Sequence, residues 1–195
     1  MLAVPNTYFA RLKPRGEIYN MPAITTEIKA MMDPNADPYA APADGAEAAP
    51  PKFGAKDVQD LSWKNLMDAY SCTECGRCTS ACPANQTGKA LSPRKIMMDI
   101  RDRADVVGKK LDSGDVAFCQ DKNLPLSPAN FSDGLSLFSQ ISPEEIHGCT
   151  TCNACVEACP VLINPLEPII KMRRYEILTL SSGPADWVPL FNSLE

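Results

Sequence analysis

Eight of the nine cysteines fall into two runs of one spacing, C-x2-C-x2-C-x3-C-P: Cys72, Cys75, Cys78, Cys82 and Pro83, then Cys149, Cys152, Cys155, Cys159 and Pro160. Three thiolates spaced by two residues can wrap a turn of backbone around three irons of a cubane, and the fourth, after three residues, points away from it. In two-cluster proteins that fourth cysteine ligates the other cluster. The spacing therefore assigns Cys72, Cys75, Cys78 and Cys159 to one 4Fe-4S cluster, and Cys149, Cys152, Cys155 and Cys82 to a second. Pro83 and Pro160 are expected to turn the chain away after each outgoing ligand, because proline fixes φ and cannot donate a backbone hydrogen bond. The chemistry such a set performs is one-electron transfer.

Other uses of cysteine fit less well. A zinc ribbon also uses paired C-x2-C elements, but zinc needs only four thiolates and neither the third x2 step nor the x3-C-P tail. A disulfide framework suits small secreted chains, whereas this one has an odd cysteine count, 195 residues and no secretory apolar stretch. Cys119 stands alone between Phe118 and Gln120 and reads as a buried, inert thiol. His147, the only histidine, lies two residues before Cys149, where it either fills space or tunes the neighbouring cluster. One histidine also excludes a bis-histidine haem built within this chain.

A formal net charge of −5 with scattered Lys and Arg argues against a nucleic-acid partner, which would require a basic face. Thiolate clusters persist in reducing surroundings, so cytoplasmic exposure is expected. No apolar run approaches the ~18 residues that a membrane span requires.

The elements that must position the cysteines are helical. Ser62 can cap a helix carrying Trp63, Leu66, Met67 and Tyr70 directly into Cys72. Ser92 and Pro93 provide a cap and an N1 proline for a helix over 94–101, with Ile96, Met97, Ile100 and Ala104 on one apolar face. Ser142-Pro143-Glu144-Glu145 reads as a capping box leading into the second cysteine run, and Asn164-Pro165-Leu166-Glu167 as a similar device after it. Helix, cysteine run and capped helix thus occur twice, with all four cysteines displaced by 77 residues, which points to duplication of a cluster-binding half. Residues 108–140, with Gly108, Gly114, Pro125, Pro128 and Gly134, read as a loop-rich insertion between the halves. Before the helices, Asp33 to Pro51 is rich in Ala and Pro and reads as a linker or a strap over another surface. The expected division is an extended N-terminal segment 1–56, a mainly α dicluster domain 57–180 and a C-terminal tail 181–195.

The two runs, within YSCTECGRCTSACPA and HGCTTCNACVEACPV, resemble those of the α-helical ferredoxin domain. That domain occurs in heterodisulfide reductases and in iron-sulfur subunits of succinate, glycolate and glycerol-3-phosphate dehydrogenases. The segments GKALSPRKIMMDIRDR and MRRYEIL are most similar to heterodisulfide reductase-related proteins, in which this domain often follows a membrane domain like a haem-b subunit. The resemblance implies a heterodisulfide reductase-like, membrane-associated redox complex at the inner face of the cytoplasmic membrane. Membrane association would then come through a partner or an N-terminal domain, with Arg11, Lys13 and Arg15 on the cytoplasmic side. It also implies redox partners carrying flavin, haem b or a cysteine-rich reductase subunit. An iron-sulfur subunit of a flavin dehydrogenase is the alternative. The catalytic reductase subunits carry adjacent cysteines, and this chain has no Cys-Cys pair. No dinucleotide fingerprint, P-loop or set of nucleophile, base and orienting group is visible, so no catalytic residue is assigned and the chain is expected to carry electrons without its own substrate site. Clusters with a purely structural role are the remaining rival.

Overall fold

The structure, a computed structural model, describes residues 2–10, 18, 20–21, 24–25, 28–29, 32, 53–120, 125–184 and 187–193. The chain separates into two compact units, one comprising Met1–Glu17 with Phe53–Glu195 and the other Ile18–Lys52. The expected strap over 33–51 and the basic residues Arg11, Lys13 and Arg15 lie outside the described residues. Both cysteine runs belong to the first unit.

This unit is helical, and among the described residues the only β pairing is an isolated bridge between Cys119 and Phe131. Helix α1 (Ala3–Ala10) adds an ordered element to the N-terminal segment. Asn6, fully buried, donates from Nδ2 to the Val161 carbonyl at 3.0 Å and accepts from Lys64 Nζ at 2.9 Å, which fastens α1 to the rest of the unit. Helix α2 (Trp63–Ser71) begins where Ser62 accepts from the Asn65 N–H while Asn65 answers the Ser62 backbone, and it ends at Cys72. Short helices α3 (Arg77–Ser80) and α4 (Pro83–Gln86) carry the first run past Cys82.

Helix α5 (Pro93–Ser113) starts as the sequence predicts, with Ser92 capping Lys95 N–H and Pro93 in the first turn. It runs further than the periodicity suggested, through Gly108, and stops at Gly114 in the left-handed conformation (φ +65°). The loop-rich insertion therefore begins after Ser113. The extra turns are held by Arg103, only 2% exposed, whose guanidinium grips Asp57 and Asp133 and donates to the Leu135 carbonyl. Lys110, two turns further on, reaches Asp133 at 2.7 Å.

Helix α6 (Pro143–His147) has the expected capping box, Ser142 with Glu145. The second run passes through α7 (Ala154–Glu157) into α8 (Leu166–Arg174), which continues as a π turn, Tyr175–Thr179. The device at Asn164 differs from a capping box: Pro165 holds the cap position without a side-chain bond, and Asn164 Oδ1 instead accepts from the Leu166 N–H at 3.1 Å. Pro168 sits in the first turn, as expected. A last helix, α9 (Trp187–Asn192), lies within the segment read as a tail.

The core gathers Leu91, Ile96, Met97 and Ile100 from around α5 with Leu137, Ile141, Ile146, Ile169 and Met172 from the second half. Cys72, Cys149 and Cys159 pack against its edge, so the cysteine loops rest on an apolar platform.

Candidate functional site

The two cysteine runs share one backbone conformation. Glu74 (φ +58°) and Thr151 (φ +55°) occupy equivalent positions after the first cysteine, and Gly76 (φ +80°) and Asn153 (φ +61°) equivalent positions after the second. Left-handed residues turn successive amides inward, making the kind of concavity that binds anions. Glu and Thr pay a steric penalty for this conformation that glycine escapes, whereas asparagine tolerates it. Duplication is thus visible as paired dihedral angles as well as paired ligands.

The inward amides reach sulfur. The Thr151 N–H donates to Cys149 Sγ at 3.4 Å and the Ile163 N–H to Cys159 Sγ at 3.4 Å. The amides of Glu74 and Thr79 favour charge on Cys72 and Cys78, against the larger effect of burial. Thr151 makes its contact from a left-handed position, and Glu74 holds the same conformation in the first run, so backbone conformation rather than side-chain size sets this geometry. Sequence spacing carries no signal for that.

One cleft, open to solvent, is lined by Cys72, Cys75 and Cys78 from the first run and by Cys159 from the second, with Gly76, Arg94 and Val161 beside them. Around the other centre, Cys149 feels the charge of Cys82 and Cys152, and Cys155 feels Cys149, Cys82 and Cys152. Cys72, Cys75, Cys78 and Cys159 thus line one cleft, and Cys82, Cys149, Cys152 and Cys155 lie close enough for their charges to interact. Cys155 also feels Cys78, so the sets adjoin. The middle cysteines, Cys75 and Cys152, are exposed, and Cys155 is buried.

Burial dominates the acid–base behaviour of the thiols. It raises Cys72, Cys78 and Cys149 above the ordinary thiol range, and it pushes Cys155 up to about 12 with help from the neighbouring cysteines. Four mutually repelling sulfurs become thiolates together only when iron supplies the opposing charge. Among the described residues no three His, Cys, Asp or Glu side chains meet around a single point; Cys72, Cys75, Cys78 and Cys159 line a cleft instead. Asn153, between Cys152 and Cys155, keeps its amide oxygen buried with no hydrogen-bond partner in the protein. Sulfur donors in fours, amides aimed at them and a buried polar atom left unpaired all fit an iron-sulfur cubane.

The remaining candidates lie apart. Cys119 is buried at its bridge with Phe131. His147 Nε2 is 2.8 Å from Glu176 Oε2, and its ring meets Trp187 edge to face at 5.4 Å, so it braces the π turn. Arg173, which the cysteine pattern did not flag, donates to the carbonyls of Ile146 and Cys149.

The family model of the 4Fe-4S dicluster domain matches residues 71–163, the stretch containing all eight cysteines of the two runs. The chain carries a 4Fe-4S dicluster domain. It is an iron-sulfur electron-transfer module of mainly helical fold, as the sequence led us to expect. Among similar proteins is the probable iron-sulfur-binding oxidoreductase FadF of Bacillus subtilis, 34% identical over 160 residues that cover 73% of this chain and 23% of that protein. A probable membrane-anchored ferredoxin of Chromohalobacter salexigens is 32% identical over 141 residues, 67% of this chain and 19% of that one. A subunit of the dihydromethanophenazine:CoB–CoM heterodisulfide reductase of Methanosarcina barkeri is 29% identical over 131 residues, 66% of this chain and 28% of that subunit. The dicluster chain therefore spans between 19% and 28% of the lengths of these relatives. No solved structure matches it. Among the described residues no helix is long and apolar enough to cross a membrane.

Proposed function

We propose that the dicluster domain holds two 4Fe-4S clusters with crossed ligands, Cys72, Cys75, Cys78 and Cys159 on one and Cys149, Cys152, Cys155 and Cys82 on the other. The chain relays single electrons between redox partners of a hetero-complex of the heterodisulfide reductase-like type, at the inner face of the cytoplasmic membrane. The observation that carries the ligand assignment is Cys159, which stands in the wall of the cleft formed by the first run rather than with its own.

When bound, the clusters supply one-electron chemistry, and the protein supplies what surrounds them. The amides of Glu74, Thr79, Thr151 and Ile163 favour charge on sulfur. The core beneath excludes water, and the contact of α3 with α7 holds the two centres adjacent. Exposed Cys75 and Cys152 give each centre a solvent-facing edge at which a partner cofactor can come close, while Cys78 and Cys155 lie between the centres. The membrane and complex assignments draw support from the relatives named as a membrane-anchored ferredoxin and as a reductase subunit.

Anaerobic iron and acid-labile sulfide analysis, with EPR of the dithionite-reduced protein, tests the reading. About eight irons and eight sulfides per chain, with two interacting reduced cubanes, is the expected result. Zinc, or a single cluster, would overturn it.

A further inference from the structure

Arg173, in the last turn of α8, points its guanidinium into the protein behind the second cysteine run. Its Nε donates to the Ile146 carbonyl at 2.7 Å and a terminal nitrogen donates to the carbonyl of Cys149. Both acceptors are neutral. Its setting differs from that of the other inward cations: Arg103 grips Asp57 and Asp133, and Lys171 is 3.0 Å from Glu167. Among the described residues Arg173 has no carboxylate at ion-pair distance, and the ionisable group that favours its charge is Cys149. Burial disfavours its protonated form, yet a guanidinium does not give up its proton inside proteins. A partly desolvated cation left without an anion is costly, so its counter-charge is to be sought at the site it faces.

The first site carries no equivalent. Glu74 and Arg101 act on Cys72 with opposite sign, and they pair with each other at 2.7 Å. Arg77 and Arg94 at its rim are exposed, where water and salt screen them.

We infer that Arg173 sets the redox order of the two centres: it holds the cluster of Cys149, Cys152, Cys155 and Cys82 at a higher reduction potential than the cluster of Cys72, Cys75, Cys78 and Cys159. This rests on the two-cluster reading above. Reduction adds one negative charge to a centre that is already anionic, and a fixed cation nearby stabilises the reduced state more than the oxidised one. One electron leaves the first cluster, which is oxidised, and enters the second, which is reduced. No bond breaks and no proton has to move. The second centre is then the sink of the pair.

The test is an EPR-monitored redox titration of the reconstituted full chain, with dithionite as reductant. Arg173→Gln should lower one potential only, shifting the one-electron equilibrium between the clusters at least about tenfold, or ~59 mV. Arg173→Lys, which keeps the charge, should stay close to the wild type. Because the Gln variant also loses carbonyl hydrogen bonds and can fail to assemble, the native Arg173 background supplies a second reading through ligand exchange at the exposed cysteines. Cys152→Ser should alter the signal that appears first on reduction and Cys75→Ser the one that appears later. The reverse order overturns the inference, as does a Gln variant carrying both clusters with both potentials unchanged. A wild-type chain that loads fewer than two clusters instead defeats the two-cluster reading itself and takes this inference with it.

Discussion

Cys78 and Cys155, the third cysteines of the two runs, are brought together: Cys78 packs against the small apolar cluster of Cys155, Val156 and Leu166. The contact of α3 with α7 places them there, and each of these short helices follows a left-handed residue, Gly76 or Asn153. The boundary between the two runs is thus made of cysteines and their immediate neighbours.

The proposed crossed ligation makes the two outgoing cysteines diagnostic. Cys82→Ser should damage the cluster whose other ligands are Cys149, Cys152 and Cys155, while Cys159→Ser should damage that of Cys72, Cys75 and Cys78. Iron analysis with EPR of each variant decides the matter. Loss of the cluster belonging to the substituted residue's own run, in either variant, would refute the crossed assignment.

What could be read in the sequence was what depends on near neighbours. Ser62, Ser92 with Pro93, and Ser142 with Glu145 announce helix starts because a cap is a bond across three residues. The two cysteine runs and the dicluster family they belong to were equally legible, since metal-ligand spacing is local. The full length of α5 was not, because it depends on Arg103 meeting carboxylates 46 and 30 residues away. Arg173 was invisible for a similar reason: its acceptors are backbone carbonyls 27 and 24 residues away, and backbone leaves no mark in composition. Asn164 misled because its side chain can bond locally in more than one way, and Pro165 took the cap position.

The Arg103 network predicts a large and specific stability loss. Asp57 and Asp133 both lie inside the fold, with side chains 9% and 1% exposed, and Arg103 bridges them. Arg103→Met keeps volume but leaves Asp57 without a cation, which for a buried pair costs about 3–5 kcal/mol. Thermal or denaturant unfolding of the cluster-loaded protein should show that loss. Cluster content at low temperature should be retained, since the network lies away from the cysteines; loss of iron without loss of stability would contradict this account.

Acid should weaken the fold through the same network. Hydrogen bonds from Arg103 hold the Asp133 carboxyl well below the ordinary carboxylate range, with Lys110 adding to the effect and burial opposing it. A carboxyl depressed in the native state contributes stability that is fully present above its unfolded pKa, about 3.9 for aspartate. That contribution is lost as pH falls below this value towards the lower native one. Glu145 adds in the same sense: burial opposes its ionisation, but the Ser142 N–H and Lys95 outweigh burial and lower it. Unfolding free energy followed from pH 6 downwards should fall more gently in Asp133→Asn than in the wild type. Parallel curves would show that Asp133 titrates normally.

Gly54 offers the sharpest steric test. It sits in the left-handed region at φ +76°, and a methyl group there would lie 2.3 Å from the Lys171 carbonyl oxygen and 2.3 Å from the Tyr175 nitrogen. Both are backbone atoms at the junction of α8 with the π turn, and the next residue, fully buried Ala55, donates its N–H to the same Lys171 carbonyl at 2.9 Å. Neither wall can rotate aside as a side chain would. Gly54→Ala should therefore cost the left-handed penalty of about 1–2 kcal/mol together with an overpacking penalty of about 1–3 kcal/mol. Gly88 provides the control, because its φ of +83° is similar and nothing lies within 4 Å of the added carbon. Gly88→Ala should lose only the first contribution. The difference between the two midpoints in denaturant then measures how tightly residues 53–55 are pressed against α8, the helix that carries Arg173 behind the second cysteine run. Equal losses would mean that this junction opens at little cost, and that the position of α8 is set elsewhere.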